Sequence, residues 1–441
     1  MSRLDRHDSL ESFVDHVVDK RVGIVRDLYE LSPEADAPQL FHYYSTACNT
    51  AQLGPFENFR HNGGAAMERH VAIAKAVGES VERYCCALVS PTELPVVSFE
   101  AAPFECVEPE RFAFYTEAQF AEPNFEFVPF RRDTPVRWTP AVDCSTGRTV
   151  HLPAAAVWLP YYYVLESGEV PIMQPISTGL ACHRGLARAI LGGIGEVVER
   201  DSFTMMWQGR LSFPQIRVET LSERNYELVR RFERVGHEVH LLNITSDLRI
   251  TVVLGVARHD RPGIPPIVFA ASASADPEDA VRKALEELAH TRRYMVEIQG
   301  WGETFDPGER FENVVEQITH LRFWGDRDRA RLADFATASD DRVDFRELPD
   351  LSRDDPEEEL RAVRDRLEQS GFRCYVADVT TPDVGDLGIS VVHCVIPGLH
   401  PFFIGHRRRA RGCPRLYEAP QRFGFRPLAP GADNPLPHPY P

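Results

Sequence analysis

GESVER, Gly78 to Arg83, returns almost letter for letter as GEVVER, Gly195 to Arg200. In both, two glutamates and an arginine occupy positions i, i+3 and i+4, which share one face of a helix. Glu79, Glu82 and Arg83 therefore project together, as do Glu196, Glu199 and Arg200. The flanks decide the fold. ERHVAIAKAVGESVERYCCALV, Glu68 to Val89, and LARAILGGIGEVVERDSFTMMW, Leu186 to Trp207, are apolar around most of a helical perimeter, which predicts two buried helices. A single exposed copy would be no more than an i,i+4 ion pair. Ions on buried helices cost several kcal/mol each unless they are paired or bind something charged.

A third helical run, AVRKALEELAHTRRYMVEI, adds Glu286, Glu287, His290, Arg292 and Arg293 in a similar apolar frame. Carboxylates and guanidiniums converging from these helices suit a polyphosphate with Mg²⁺: hard oxygens hold the metal, the metal bridges phosphates, and arginines bind phosphate oxygens. A self-satisfied buried salt-bridge network is the alternative, and the residues alone leave both open.

Composition narrows the function. The net charge of −17 argues against an electrostatic grip on nucleic acid or anionic membrane, and RRRAR, Arg407 to Arg411, reads as a solvated loop. Nine cysteines without a C-x-x-C pair suggest neither a disulfide framework nor a zinc knuckle. With no apolar h-region at the N-terminus and no membrane-spanning run, the expected location is cytoplasmic. Only Lys20, Lys75 and Lys283 are lysines and none follows a glycine, so there is no P-loop. LGGIGE, Leu191 to Glu196, lies inside a helical pattern rather than after a strand, so a dinucleotide fingerprint is unsupported. HEVH, His237 to His240, has the wrong spacing for a zinc protease and reads as strand.

The fold class expected is mixed α/β: internally duplicated sheet-and-helix halves around a central nucleotide pocket, with an extended Pro-rich tail. Residues 1–60 are an N-terminal segment packed on the core, with an amphipathic run from Leu10 to Tyr29 and strand-like FHYY at Phe41 to Tyr44. Residues 61–426 are the main domain, and 427–441 the tail. Short strands and loops are expected over 90–175. HEVHLLNIT, RITVVLGVARHD and PIVFAASASA read as strands, and DPEDA opens a helix to about Glu297. The polar stretch Asp306 to Asp355 reads as helical insertion or loop. A helix over Pro356 to Ser370 and strands CYVADVT and SVVHCVI follow. The tail can be neither helix nor central strand.

At these residues the chain resembles the YcaO family, in its azoline-forming cyclodehydratase (D-protein, SagD-like) branch of thiazole/oxazole-modified peptide pathways. GGAAMERHVAIAKAVGESVERYC, STGLACHRGLARAILGGIGEVVERDSF and ADPEDAVRKALEELAHTRR look like its three helical motifs; VIPGLHPFFIGHRRRARGCPRLY and NPLPHPYP look like its closing segments. The resemblance implies ATP and Mg²⁺ as cofactors. It implies Glu79, Glu82, Glu196 and Glu199 as metal ligands, and Lys75, Arg83, Arg200, Glu287, His290 and Arg292 with them as nucleotide contacts. Pro437, Pro439 and Pro441 would carry the tail into the catalytic site. The implied reaction converts Cys, Ser or Thr of a ribosomal precursor peptide to thiazoline or oxazoline by phosphorylation of the backbone amide. The implied partners are the precursor peptide, an E1-like leader-binding protein, a flavin-dependent azoline dehydrogenase and a second copy as homodimer; nucleic acid and membrane are not among them.

Four positions depart from the family's commoner pattern: Ala65, Lys75, Arg188 and His290. Lys75 lies one turn before Glu79, and Arg188 precedes Glu199 on the same helix, so both cations lie near the carboxylate faces. If they satisfied those carboxylates they would displace a metal. The competing expectation is thus a catalytically degenerate subunit that scaffolds a peptide-modifying complex. A backbone thioamide or amidine former is a third, which the proline tail disfavours.

Overall fold

The structure, a computed structural model, describes residues 10–300 and 305–441. The N-terminal part builds α1 (Leu10–Val17), β1 (Val25–Glu30), β2 (Phe41–Ala47) and β3 (His61–Ala66), and α2 (Arg69–Ala87) follows. The run from Leu10 to Tyr29 is split by a local turn. The Asp19 carboxylate accepts the backbone N–H groups of Arg21 and Val22, and Gly23 donates to the Asp19 carbonyl. These side chain-to-backbone bonds compete with helix. β1, β2 and β3 form one antiparallel sheet, so the boundary expected after residue 60 falls between two paired strands.

The Pro- and Phe-rich text yields β4 (Val96–Val97), α3 (Glu117–Phe120), β5 (Val136–Asp143) and β6 (Thr149–Pro153). β7 (Leu180–Arg184) leads into α4 (Leu186–Gly209), then β8 (Gln215–Ile216), α5 (Glu223–Glu233), β9 (Glu238–Asn243), β10 (Thr251–Arg258), β11 (Ile267–Ser274) and α6 (Pro277–Gln299). Asp276 caps α6 by accepting from the Glu278 N–H, with Pro277 in the first turn, as DPEDA implied. Between Asp306 and Asp355 lie α7 (Gln317–Trp324), α8 (Arg327–Ala330) and β12 (Arg342–Val343), and the insertion has its own anchors, since Leu321 and Trp324 are fully buried. α9 (Pro356–Gln369), β13 (Tyr375–Asp378), α10 (Pro382–Gly385), β14 (Ile389–Val395) and α11 (Arg415–Glu418) complete the chain.

Besides the N-terminal sheet there is a five-stranded sheet, β11-β10-β9-β8-β12, and a sheet ordered β4-β5-β13-β14-β7 with β6 paired to β5. β3, β7 and β11 each stand at the end of their sheet, and each runs directly into a helix: α2, α4 and α6. Every one of these helices packs on its own strand and on the next: α2 on β3 and β7, α4 on β7 and β11, α6 on β11 and β3. The three strand–helix units therefore close a ring, with GESVER and GEVVER in corresponding places in two of them. Close approach depends on glycine. A Cβ on Gly193 would lie 2.6 Å from the Gly179 carbonyl oxygen, and one on Gly64 2.9 Å from that of Ala72. The glycines of LGGIGE thus serve helix–strand packing.

Fully buried Phe203 and Trp207 of α4, Phe269 of β11 and Trp324 of α7 mark the centre of the larger core. Each contributes roughly 1.5–3 kcal/mol by burial. The tail from Pro427 is without helix or strand, as expected, and Pro437 to Tyr440 are buried. No helix among the described residues is long and apolar enough to cross a membrane.

Candidate active site

A free sheet edge presents backbone N–H groups that need acceptors. The ring supplies them from its glutamates. Glu79 accepts the Gly63 N–H at 3.2 Å, and Glu196 accepts the Gly179 N–H at 2.8 Å, each from the chain leading into its own helix. The second glutamate of each set reaches across to the next unit: Glu82 accepts from Cys182 in β7 at 2.8 Å, and Glu199 from Ala273 in β11 at 3.3 Å. Glu286 of α6 closes the circuit by accepting the Met67 N–H at 3.2 Å, just after β3.

Each arginine pairs with the first glutamate of its set, Arg83 with Glu79 at 3.1 Å and Arg200 with Glu196 at 2.8 Å. Arg200 also donates to the Thr178 hydroxyl. Among the described residues the second glutamates have no such partner. Burial drives the Glu82 carboxyl up to about 8; the charges of Glu79 and Glu196 push the same way, against Arg83 and the Cys182 N–H. Burial likewise raises Glu199 to about 8, with Glu196 and Glu287 adding to it and Tyr440 and Arg200 opposing. Arg83 is pulled down by burial, yet Glu79, Glu82 and Glu196 outweigh this and raise it. Glu79, Glu82, Glu196, Glu199 and Glu287 thus share one electrostatic neighbourhood, in which Glu82 and Glu199 keep their protons until rising pH or an added cation displaces them.

Among the described residues no three His, Cys, Asp or Glu side chains form a closed metal cage. Mg²⁺ does not require one: it is held by one or two carboxylates, with phosphates and water completing six oxygens. The donors here are all hard oxygens, Glu82 and Glu199 are short of cations, and the side chains of Glu79, Glu196 and Glu287 are 34%, 26% and 43% exposed. These residues fit a magnesium–phosphate group reached from solvent. A cavity of about 220 Å³ between Arg111, Phe114, Phe372 and Arg415 is lined by none of them.

The departing positions resolve individually. Lys75 does not pair with Glu79. Its ammonium lies 3.0 Å from Glu286, 3.5 Å from Glu287 and 3.0 Å from the Ala65 carbonyl oxygen. Arg188 is exposed on α4 and joins none of the carboxylates. His290 stands against Gly63 and beside His42, their rings 6.2 Å apart. Arg292, expected at the nucleotide, is instead buried against the N-terminal segment: it donates to Glu34 at 2.7 Å, to the Asp36 carbonyl and to His237. Each of its three guanidinium nitrogens is engaged there, and Arg292 pairs with none of Glu79, Glu82, Glu196, Glu199 or Glu287.

The tail reaches the site. Trp207 donates its indole N–H to the Leu436 carbonyl and Trp324 to that of Pro437. Pro437, Pro439 and Pro441 keep the chain extended, and the residue between the last two, Tyr440, donates its hydroxyl to Glu199. Neither Tyr440, set between two prolines of the tail, nor Thr178, in a stretch without periodic pattern, carries a sequence signal for the site. Glu286, named with the third helical run but not among the implied metal or nucleotide contacts, is 1% exposed and also pairs with Arg282 at 2.9 Å.

The family model described as YcaO cyclodehydratase, ATP- and Mg²⁺-binding, matches residues 63–400. The chain belongs to the YcaO family. It is 26% identical over 355 residues to an uncharacterized protein of Methanothermobacter thermautotrophicus, covering 79% of this chain and 84% of that one. Among solved structures, a heterocyclase in complex with substrate and cofactor superposes with TM-score 0.80 at 20% identity, over 98% of this chain and 57% of that one. YcaO from Methanopyrus kandleri, bound with AMPPCP and Mg²⁺, gives TM-score 0.65 at 21% identity, over 91% and 93%. These structural likenesses establish the YcaO fold, and the chain spans little more than half of the heterocyclase.

Proposed function

We propose that this YcaO protein is an azoline-forming peptide cyclodehydratase of the D-protein branch that spends ATP to activate a backbone amide. The observation that supports it best is the pair Glu82 and Glu199, held without their own cations between arginine-paired Glu79 and Glu196. Glu79, Glu82, Glu196 and Glu199 would hold Mg²⁺, which when bound neutralises phosphate charge. Arg83 and Arg200, already oriented by Glu79 and Glu196, would face phosphate oxygens, with Glu287 at the rim. Amide oxygen is a poor leaving group and phosphate a good one. A Cys, Ser or Thr side chain attacks the preceding carbonyl, the resulting oxygen takes the γ-phosphoryl group of ATP, and phosphate departs as the azoline forms. The chain's own contribution is positioning and charge. Pro437, Pro439 and Pro441 shape the tail beside that site. The precursor would be delivered by an E1-like leader-binding partner, with a flavin-dependent dehydrogenase acting later and a homodimer as the assembly, all in the cytoplasm.

One observation favours the scaffolding alternative: Lys75 neutralises Glu286 and Glu287. It leaves Glu79, Glu82, Glu196 and Glu199 untouched, and Arg188 pairs with none of them, so the enzymatic reading is preferred. Incubation with ATP, Mg²⁺, the partner and a Cys/Ser/Thr-bearing precursor tests it by mass spectrometry. Loss of one water per ring together with ATP consumption is expected; an unchanged precursor in the complete mixture would favour the scaffold.

A further inference from the structure

Ala271 and Ala273 are two apart on β11, so their N–H groups point off the same free edge. Ala273 donates to one oxygen of Glu199, at 3.3 Å. The Ala271 N–H is 3.3 Å from the Tyr440 hydroxyl, which itself donates to the other Glu199 oxygen. Glu199 and Tyr440 are thus neighbouring caps on one strand edge, joined to each other. Tyr440 is 4% exposed, with the Phe203 ring centroid at 4.4 Å and that of Phe402 at 5.6 Å. On the same Phe402 ring lies the Arg200 guanidinium, 5.0 Å from its centroid.

The rest of the tail is fixed independently of Glu199. Buried Asn434 donates its backbone N–H to the Gln208 carbonyl at 2.7 Å and its side-chain amide to that of Trp207 at 3.1 Å. The His438 ring stacks on His320 at 3.9 Å and donates to the Phe403 carbonyl at 2.8 Å. The last contact of this clasp is the only one of these that reaches a carboxylate of the site. Packing alone would be met by a phenylalanine; the hydroxyl adds orientation of Glu199.

We propose that Tyr440 is the positioning residue of Glu199, so that seating of the tail and binding of a magnesium-bound nucleotide at Glu199 are one coupled equilibrium. This rests on the nucleotide reading above. Partners that orient a metal ligand are worth about 10- to 100-fold in metal affinity, and coupling is reciprocal: if the seated tail favours the ligand, the ligand favours the seated tail.

Calorimetry with a non-hydrolysable ATP analogue at graded Mg²⁺, on the full chain and on Tyr440→Phe, tests the first half. The half-saturating Mg²⁺ concentration is expected to rise about tenfold in Tyr440→Phe, while analogue binding without Mg²⁺ stays near wild type; losing the hydroxyl's bonds to Ala271 and Glu199 lowers the ligand-free melt under either role, so the selective change in Mg²⁺ requirement is what a purely structural role would not give. Hydrogen exchange on the unaltered protein tests the second half whatever the variant does. Mg²⁺ and analogue together are expected to slow exchange at the Leu436 and Tyr440 amides, which donate to Asn434 and His438. A Mg²⁺ requirement within about twofold of wild type, or tail exchange that ignores the ligand, overturns the coupling and leaves the nucleotide reading intact. No binding to wild type overturns both.

Discussion

The Glu82 carboxylate on α2 accepts the Cys182 N–H in β7, and Glu199 on α4 repeats this on Ala273 in β11. In both, a glutamate of one strand–helix unit caps the free edge of the next. Two short sequence repeats thereby become cross-links between sheets, and their carboxylates are brought together at the price of leaving Glu82 and Glu199 without cations.

That arrangement makes stability fall with pH. A carboxyl raised from 4.5 to about 8 binds more protons folded than unfolded between those values. Its contribution is full below the unfolded pKa and is lost as pH rises through the folded one. Thermal melts of the ligand-free protein are expected to drop from about pH 5 to about pH 8 and level off beyond. Glu199→Gln should flatten part of this slope; an unchanged slope in that variant would assign the effect elsewhere.

Lys75→Met should destabilise the fold. Glu286 is buried and keeps Arg282 at 2.9 Å and the Met67 N–H, so the loss is partial, about 1–3 kcal/mol. Denaturant unfolding measures it, and a neutral result would mean that the ammonium contributes only local charge.

Arg415 is a harsher case. Nearly buried, it donates twice to Asp201, which is wholly buried, and pairs with Asp247 at 2.7 Å. Among the described residues, Arg415→Met leaves Asp201 with only the His400 N–H, at an expected cost of about 3–5 kcal/mol in denaturant unfolding. Adding Asp201→Asn should recover part of that loss; an additive double variant would show that the pair is not the source.

The tail should matter to chemistry more than to folding. Removing residues 437–441 is expected to abolish azoline formation in the reconstituted mixture, read by mass spectrometry, while far-ultraviolet circular dichroism stays near wild type. Full turnover by the truncated chain would remove the tail from the site.

What could be read in advance followed from periodicity. An apolar perimeter identified α2 and α4 as buried, continuous apolar runs identified β10 and β11, and Asp276-Pro277 marked the start of α6. Spacing along a helix also paired Arg83 with Glu79 and Arg200 with Glu196. Contacts between elements were not readable in this way. Lys75 lies one turn from Glu79, yet the packing of α6 on β3 offers it Glu286 and Glu287 instead. Arg292 shares a helix with those acids but is claimed by Glu34 in the N-terminal segment. Tyr440 meets Glu199 across 241 positions of sequence, a pairing that local pattern does not carry.

The most direct measurement is calorimetric titration of ATP with Mg²⁺ into wild type and Glu199→Gln. Saturable binding in wild type that is lost or strongly weakened in the variant is expected if these carboxylates hold the metal-bound nucleotide. Equal binding in both, or none in either, would contradict it.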